Sequence, residues 1–192
     1  MRETGQRVLR AAVRTLSQLG YRKSTARAIA ATGGFAPGVI YYHFADLDDL
    51  FVATARFISE QRMARYQAET AGVTEAVEMI ARLRSLYVED EAEGHISAIQ
   101  ELVAAAVTSP RLADSVREET ARWVDFAEAV IRRMIADKPF EDLIPAPEVA
   151  SAFVATYLGL EMLSHLHADR TRPDQMFDAA ARLAAIIDLL HT

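Results

Sequence analysis

Cysteine is absent from all 192 residues. That excludes a disulfide framework, a thiolate metal site and a cysteine nucleophile, and it fits a reducing compartment. No apolar run reaches the ~18–20 residues that span a membrane. The first five residues, Met1 to Gly5, contain no apolar leader core. The expected location is therefore the cytoplasm, with no membrane partner. Strand signals are missing too: no segment keeps a period-two alternation with β-branched enrichment. There is no HExxH, no phosphate-binding glycine loop and no Gly-x-Ser-x-Gly. The five histidines are His43, His95, His165, His167 and His191. His165 and His167 are two apart and diverge on a helix, so they make no obvious ligand pair. No enzyme, cofactor or metal is expected. The acidic run Glu89, Asp90, Glu91 and Glu93 ahead of Gly94 reads as a solvated helix end, with a metal site as the alternative.

What is present is an apolar fraction of 51% with 25% charged residues, the balance of a folded chain rather than a disordered one. The formal net charge is −6, but it is unevenly spread. Residues 1–44 hold Arg2, Arg7, Arg10, Arg14, Arg22, Lys23 and Arg27 against a single acid, Glu3. The remainder holds 14 basic and 26 acidic residues. A positive end on a negative body either aims that end at a phosphate backbone or is only a solvated helix face.

Helical patterning runs through the whole chain, and the scarce glycines and prolines cut it into helix-sized pieces. We expect an all-α fold. A first helix over about 4–19 aligns Val8, Leu9, Ala12, Val13, Leu16 and Leu19 on one face, and Gly20 offers a left-handed stop. Thr25 can cap a second helix that ends at Gly34. Pro37 suits the first turn of a third. Asp46 can cap a fourth, over about 46–68, with Asp48 and Asp49 in its first turn. Further helices are expected at about 74–92, 95–107, 110–137, 147–168 and 174–190, the last capped by Asp174.

Residues 25–44 have the layout of a helix-turn-helix. Phe35, Val39, Ile40 and Phe44 have the spacing to face a small core with Ile29 and Ala30. Residues 36–38 and 41–43 are left for the outside. Tyr41, Tyr42 and His43 then form a buried aromatic cluster, or tyrosine tips that reach partners at the domain edge, or a set of polar tips for phosphates and base edges.

The order of these residues resembles the DNA-binding domain of TetR/AcrR-type regulators over about residues 4–58. It runs from Gly20-Tyr21 through Thr25, Arg27 and Ile29-Ala30 to the unbroken stretch Gly34 to Phe44 and Leu50-Phe51. The resemblance implies an N-terminal three-helix helix-turn-helix domain, residues 1–47, and an α-helical C-terminal ligand-binding and dimerisation domain, residues 48–192. It implies that Arg27, Pro37, Gly38, Tyr41, Tyr42 and His43 face double-stranded DNA, with Thr25 binding a phosphate. Three family positions are altered: Ala36 replaces a hydroxyl, Ala28 an acid, and Leu47 a lysine near the fourth helix. Asp46, Asp48 and Asp49 are then left near DNA without that cation. Between Ala36 and Phe44 there is no Arg, Lys, Asn or Gln, so the strong bidentate base pairings are unavailable. Readout is expected from thymine-methyl contacts of Pro37 and Val39, close approach at Gly38, and DNA shape. Arg2 and Arg7 are expected to add contacts from an N-terminal arm.

For the body, the resemblance implies a small-molecule effector and a homodimer through the last two helices, about 147–168 and 174–190. Both helices are apolar over much of their circumference and need neighbours on more than one side. A four-helix packing across a two-fold axis supplies them, as does burial within one monomer. Candidate ligand contacts are Tyr66, Tyr87, Ile99, Leu102, Val103, Trp123, Phe126 and Tyr157, each equally readable as core. His95, Gln100, Glu101, Glu161 and His165 are the polar residues expected to reach such a cavity, which suggests a mainly apolar ligand. The expectation is a ligand-released repressor. The alternative is a helical interaction module whose DNA-binding head has decayed.

Overall fold

In the computed structural model the chain is described over residues 3–167 and 171–189. The described residues form nine α-helices and no strand. They are α1 Glu3–Leu19, α2 Ala26–Gly33, α3 Gly38–His43, α4 Leu47–Thr70, α5 Ala76–Ala92, α6 His95–Ala106, α7 Pro110–Ile135, α8 Ala146–His167 and α9 Thr171–Leu189. Single 3-10 turns cover Tyr21–Lys23 and Glu141–Leu143. Every helix expected from the sequence is present, with ends shifted by up to three residues. No described helix is long and apolar enough to cross a membrane.

The chain divides into two compact units, Met1–Arg62 with Glu89–Glu119, and Met63–Val88 with Thr120–Thr192. In the first unit, Val8, Leu9, Ala12 and Leu16 of α1 are fully buried with Ile29, Ile40, Leu50, Ile58 and Leu102. The α1 stripe is buried as its periodicity requires, except at Leu19, which is exposed. At ~25 cal/mol per Å2, this shared apolar core is what orients three helices too short to be stable alone. In the second unit, Val73, Met79 and Val130 form a smaller buried cluster, with Leu83, Phe126 and Met134 packed on it.

The helix ends show which signals are local. Thr25 accepts the Ala28 N–H at 3.2 Å and so caps α2. Gly34, at φ 65° and ψ 42°, closes it in the left-handed region. Asp46 accepts the Asp49 N–H at 2.7 Å, and Asp49 in turn accepts from the Ala45 N–H at 3.0 Å. That reciprocal pair is a close relative of the capping box.

Two expectations fail. Gly20 has φ 77° but ψ 167°, so it turns the chain into an extended step ahead of the 3-10 turn and is no left-handed helix stop. Asp174 does not cap α9, which begins at Thr171. Pro173 is tolerated there because the first turn of a helix needs no intrahelical N–H donors. Asp174 instead pairs with Arg84 at 2.6 Å, as Asp178 does at 2.8 Å. These two carboxylates raise the Arg84 guanidinium above its ordinary value, chiefly by hydrogen bonding.

Candidate nucleic-acid interface

The helix-turn-helix is fixed by a contact no local pattern reveals. Arg7 of α1 donates to Gly33 O at 2.8 and 3.2 Å and to Gly34 O at 2.9 Å. It thereby serves the orphan carbonyls at the end of α2. Its guanidinium also lies 5.7 Å from the Phe35 ring centroid. Phe35 covers Gly33 so closely that a Cβ there would fall 2.0 Å from the ring. The first cation of α1 is therefore a staple for the turn and not the free phosphate contact expected of it. Arg2, the other arm residue, lies outside the described residues.

Most of the residues expected to face DNA are exposed. Thr25 and Arg27 are exposed at the start of α2. Pro37 and Gly38 are exposed at the start of α3, and a Cβ on Gly38 would meet nothing within 4 Å. Tyr41 is 55% exposed and Tyr42 74%. Such exposure for two tyrosines on one six-residue helix rules out the reading of a buried aromatic cluster. His43 is half-buried, edge-on to Tyr42 at 5.0 Å. Val39 is half-buried and packs on the core with Phe35, while Ile40 and Phe44 are buried. Arg10, Arg14, Arg22 and Lys23 are also exposed.

The acidic residues at the start of α4 are not left facing DNA without a cation. Arg111 of α7 reaches Asp46 at 3.1 Å and Asp49 at 3.6 Å. Ser109 donates to Asp48 at 3.3 Å. The Asp49 N–H above all, and Arg111 after it, hold the Asp46 carboxyl below its ordinary value. Tyr21, tilted against Phe51 at 4.9 Å, has its phenol pushed up by burial and then by the Asp48 carboxylate. The Tyr21 N–H donates to Glu101 of α6 at 2.6 Å. Glu101 is thus part of this unit's framework.

The candidate ligand contacts separate into two groups. Leu102 is fully buried in the core of the first unit, with Ile99 packed against it, and Val103 on the same helix is half-buried. The other five lie in the second unit. Tyr66 meets Trp123 at 5.1 Å and Phe126 at 6.5 Å, both edge-on. Tyr87 meets Tyr157 at 6.3 Å, and also Phe177 at 5.5 Å, a residue outside the candidate set. Glu161 is buried there and Gln100 is half-buried in the first unit. The His165 side chain lies outside the described residues. On α8 and α9, Val149, Phe153, Met162, Leu163, Leu183 and Ile186 are all exposed.

Residues 8–54 match the family described as bacterial regulatory proteins, tetR family, and residues 73–188 match the BetI-type transcriptional repressor C-terminal family. Among curated proteins, the HTH-type transcriptional repressor AcnR of Corynebacterium diphtheriae is 37% identical over 76 residues, 40% of each chain. The match thus spans well under two thirds of that relative. Among solved structures, a TetR-family member from Streptomyces coelicolor A3 is 26% identical with a TM-score of 0.68, over 96% of this chain and 98% of that one. The multidrug binding protein EbrR, solved with imidazole, is 25% identical with a TM-score of 0.65, over 97% and 96%.

Proposed function

The chain belongs to the TetR family of bacterial regulatory proteins, with a BetI-type C-terminal domain, and from that premise we propose that it is a cytoplasmic, ligand-responsive repressor that binds a palindromic operator as a homodimer. Residues 1–47 read DNA, and residues 48–192 bind the effector and dimerise. One observation carries the reading: Pro37 at the N-cap of α3 and Gly38, Tyr41 and Tyr42 on it are exposed, as are Thr25 and Arg27 at the start of α2. Tyrosine hydroxyls, the Thr25 hydroxyl and Arg27 position the head on phosphates. Pro37 and the open backbone at Gly38 approach the base edges. Preference for sequence comes from thymine methyls, DNA shape and half-site spacing rather than from bidentate base pairs.

The exposed apolar residues of α8 and α9 are covered by the same helices of a second copy. That arrangement sets two recognition helices about 34 Å apart, one turn of the duplex. The aromatic side chains of the second unit, Tyr66, Tyr87, Trp123, Phe126 and Tyr157, supply the walls of a site for a small, mainly apolar molecule. EbrR, a multidrug binding protein solved with imidazole, is a relative consistent with such a site. The effector acts through α4, which begins in the first unit and ends in the second. It releases DNA only to the extent that it binds the released conformer more tightly. No catalytic step and no cofactor is part of the proposal.

The test is binding of the full chain to DNA flanking its own gene, repeated across a metabolite library. One small molecule is expected to weaken operator binding by about 5–150-fold, the usual range of such coupling. A ligand that binds the chain tightly but leaves operator affinity unchanged would overturn the effector half of the proposal. No binding to that DNA would overturn the whole.

A further inference from the structure

In the acidic run ahead of Gly94, Glu89 and Glu93 are exposed and Glu91 is half-buried, as at a solvated helix end, but Asp90 is not. Asp90 is 0% exposed and His95 is 6% exposed, whereas the Glu93 side chain is half open, at 50%. One Asp90 oxygen accepts from Arg62 Nε at 2.6 Å, and Arg62 is itself buried. The other Asp90 oxygen lies 3.6 Å from His95 Nδ1, and Glu93 Oε2 lies 3.1 Å from the same nitrogen. Despite these distances, Nδ1 is buried and makes no hydrogen bond. Neither carboxylate is placed along its donor direction. The three donor atoms all lie within 4.8 Å of one another.

Three Lewis bases that converge without hydrogen-bonding one another are arranged as ligands are around a cation. The two edges that meet at His95 Nδ1 fit a small one, and the third is no longer than 4.8 Å. Ligands at ~2.0–2.1 Å from a tetrahedral ion are separated by roughly 3.3 Å, and the observed 3.1 and 3.6 Å bracket that edge. The donor set is one imidazole and two carboxylates. It favours a borderline first-row ion over Mg2+ or Ca2+, which take all-oxygen shells. The outer shell is also present, because Arg62 orients Asp90 from behind. Gly94 stands between two of the ligands at φ 75°, and a Cβ there would come within 2.8 Å of Ser17 Oγ on α1. Glycine therefore lets the turn bearing Glu93 and His95 lie against α1. On the open side, Glu93 and His95 line a cavity of about 450 Å3 whose α1 wall includes Arg10 and Arg14.

We propose that Asp90, Glu93 and His95 bind a Zn2+-class divalent cation in the first unit, with one coordination position open to this cavity. The site stands apart from the effector site proposed for the second unit, and it holds whether or not the chain is a repressor. It ties the end of α5 to the start of α6.

The test uses the full chain, stripped with a chelator and dialysed, and titrated with Zn2+ against a chromophoric competitor. One ion per chain is expected at micromolar concentrations. Glu93→Gln and His95→Gln are each expected to weaken binding at least ~10-fold, with helicity checked by circular dichroism. Glu93 is exposed enough that its variant folds normally, which keeps the test open should His95→Gln not fold. Co2+ in place of Zn2+ should give the intense visible bands of a tetrahedral site in the parent and lose them in Glu93→Gln. No binding by the parent chain, or equal affinity in parent and Glu93→Gln, would overturn the proposal.

Discussion

The two compact units leave different needs unmet. In the first, some charged groups hold the unit itself together: Arg7 on the α2 carbonyls, Glu101 on the Tyr21 N–H, and Arg111 on Asp46 and Asp49. What remains outside includes the cations Arg10, Arg14, Arg22, Lys23 and Arg27 and the tyrosines Tyr41 and Tyr42. In the second, cross-helix ion pairs also form, as between Arg84 and Asp174. Its α8 and α9 instead leave apolar groups outside, Phe153, Leu183 and Ile186 among them. A face of the first kind is satisfied by phosphate and water, and one of the second by another apolar surface. Total charge, −6 for the chain, hides this division. The distribution of satisfied and unsatisfied groups displays it.

The strongest way to break the comparison is to change the apolar face. Ile186→Asp with Leu183→Asp should convert dimer to monomer in sedimentation at concentrations where the parent is dimeric. Operator affinity should fall by roughly 100- to 10,000-fold as the two heads lose their linkage. A monomeric parent chain would remove the contrast between the units.

Next in size is Gly33→Ala. Its Cβ would fall 2.0 Å from the Phe35 ring, so the ring must move and the Arg7 staple with it. Overpacking of this kind costs about 1–3 kcal/mol, readable as a lower denaturation midpoint of the first unit.

A matched pair then separates structural from DNA-facing cations. Arg7→Met should destabilise the fold by about 2 kcal/mol, because hydrogen bonds from a charged group are lost. It should leave the salt dependence of DNA binding unchanged. Arg27→Ala should leave stability within about 0.5 kcal/mol and reduce the salt slope of the dimer by about two, one for each copy. The reverse pattern would show that the staple and the phosphate contact have been exchanged.

The smallest effect concerns Asp46. Its folded carboxyl titrates below the ordinary value, so the unfolded chain binds the proton more readily. The stabilisation is fully present above the unfolded value, about 4, and is lost as pH falls through the folded one. Asp46→Asn should therefore flatten the acid limb of the stability curve slightly and leave stability at neutral pH less sensitive to Arg111.

What could be read from the sequence follows the reach of each interaction. The caps at Thr25 and Asp46 and the stop at Gly34 act within a few residues, and all three are found where the sequence puts them. The stripe on α1 and the outer face of α3 follow from helical period alone. Partners distant in sequence were not legible. Arg7 meets Gly33 across 26 residues, and Glu101 meets Tyr21 across 80. Asp188 of α9 caps the first N–H groups of α5, at Ala76 and Val77, across 112 and 111 residues. The burial of Asp90 belongs to the same class, since nothing in an acidic run says which member will meet Arg62. Leu102 illustrates the converse error: an apolar residue on a middle helix reads equally well as pocket or core, and it packs in the core of the first unit.

The central claim, that the outer face of the first unit binds a phosphate backbone, is tested most directly by the salt dependence of operator binding by the full chain. With Arg27 and its exposed cationic neighbours engaged in both copies of a dimer, log K should fall linearly with log salt with a slope of magnitude about 4 or more. Affinity that does not change with salt would contradict the account.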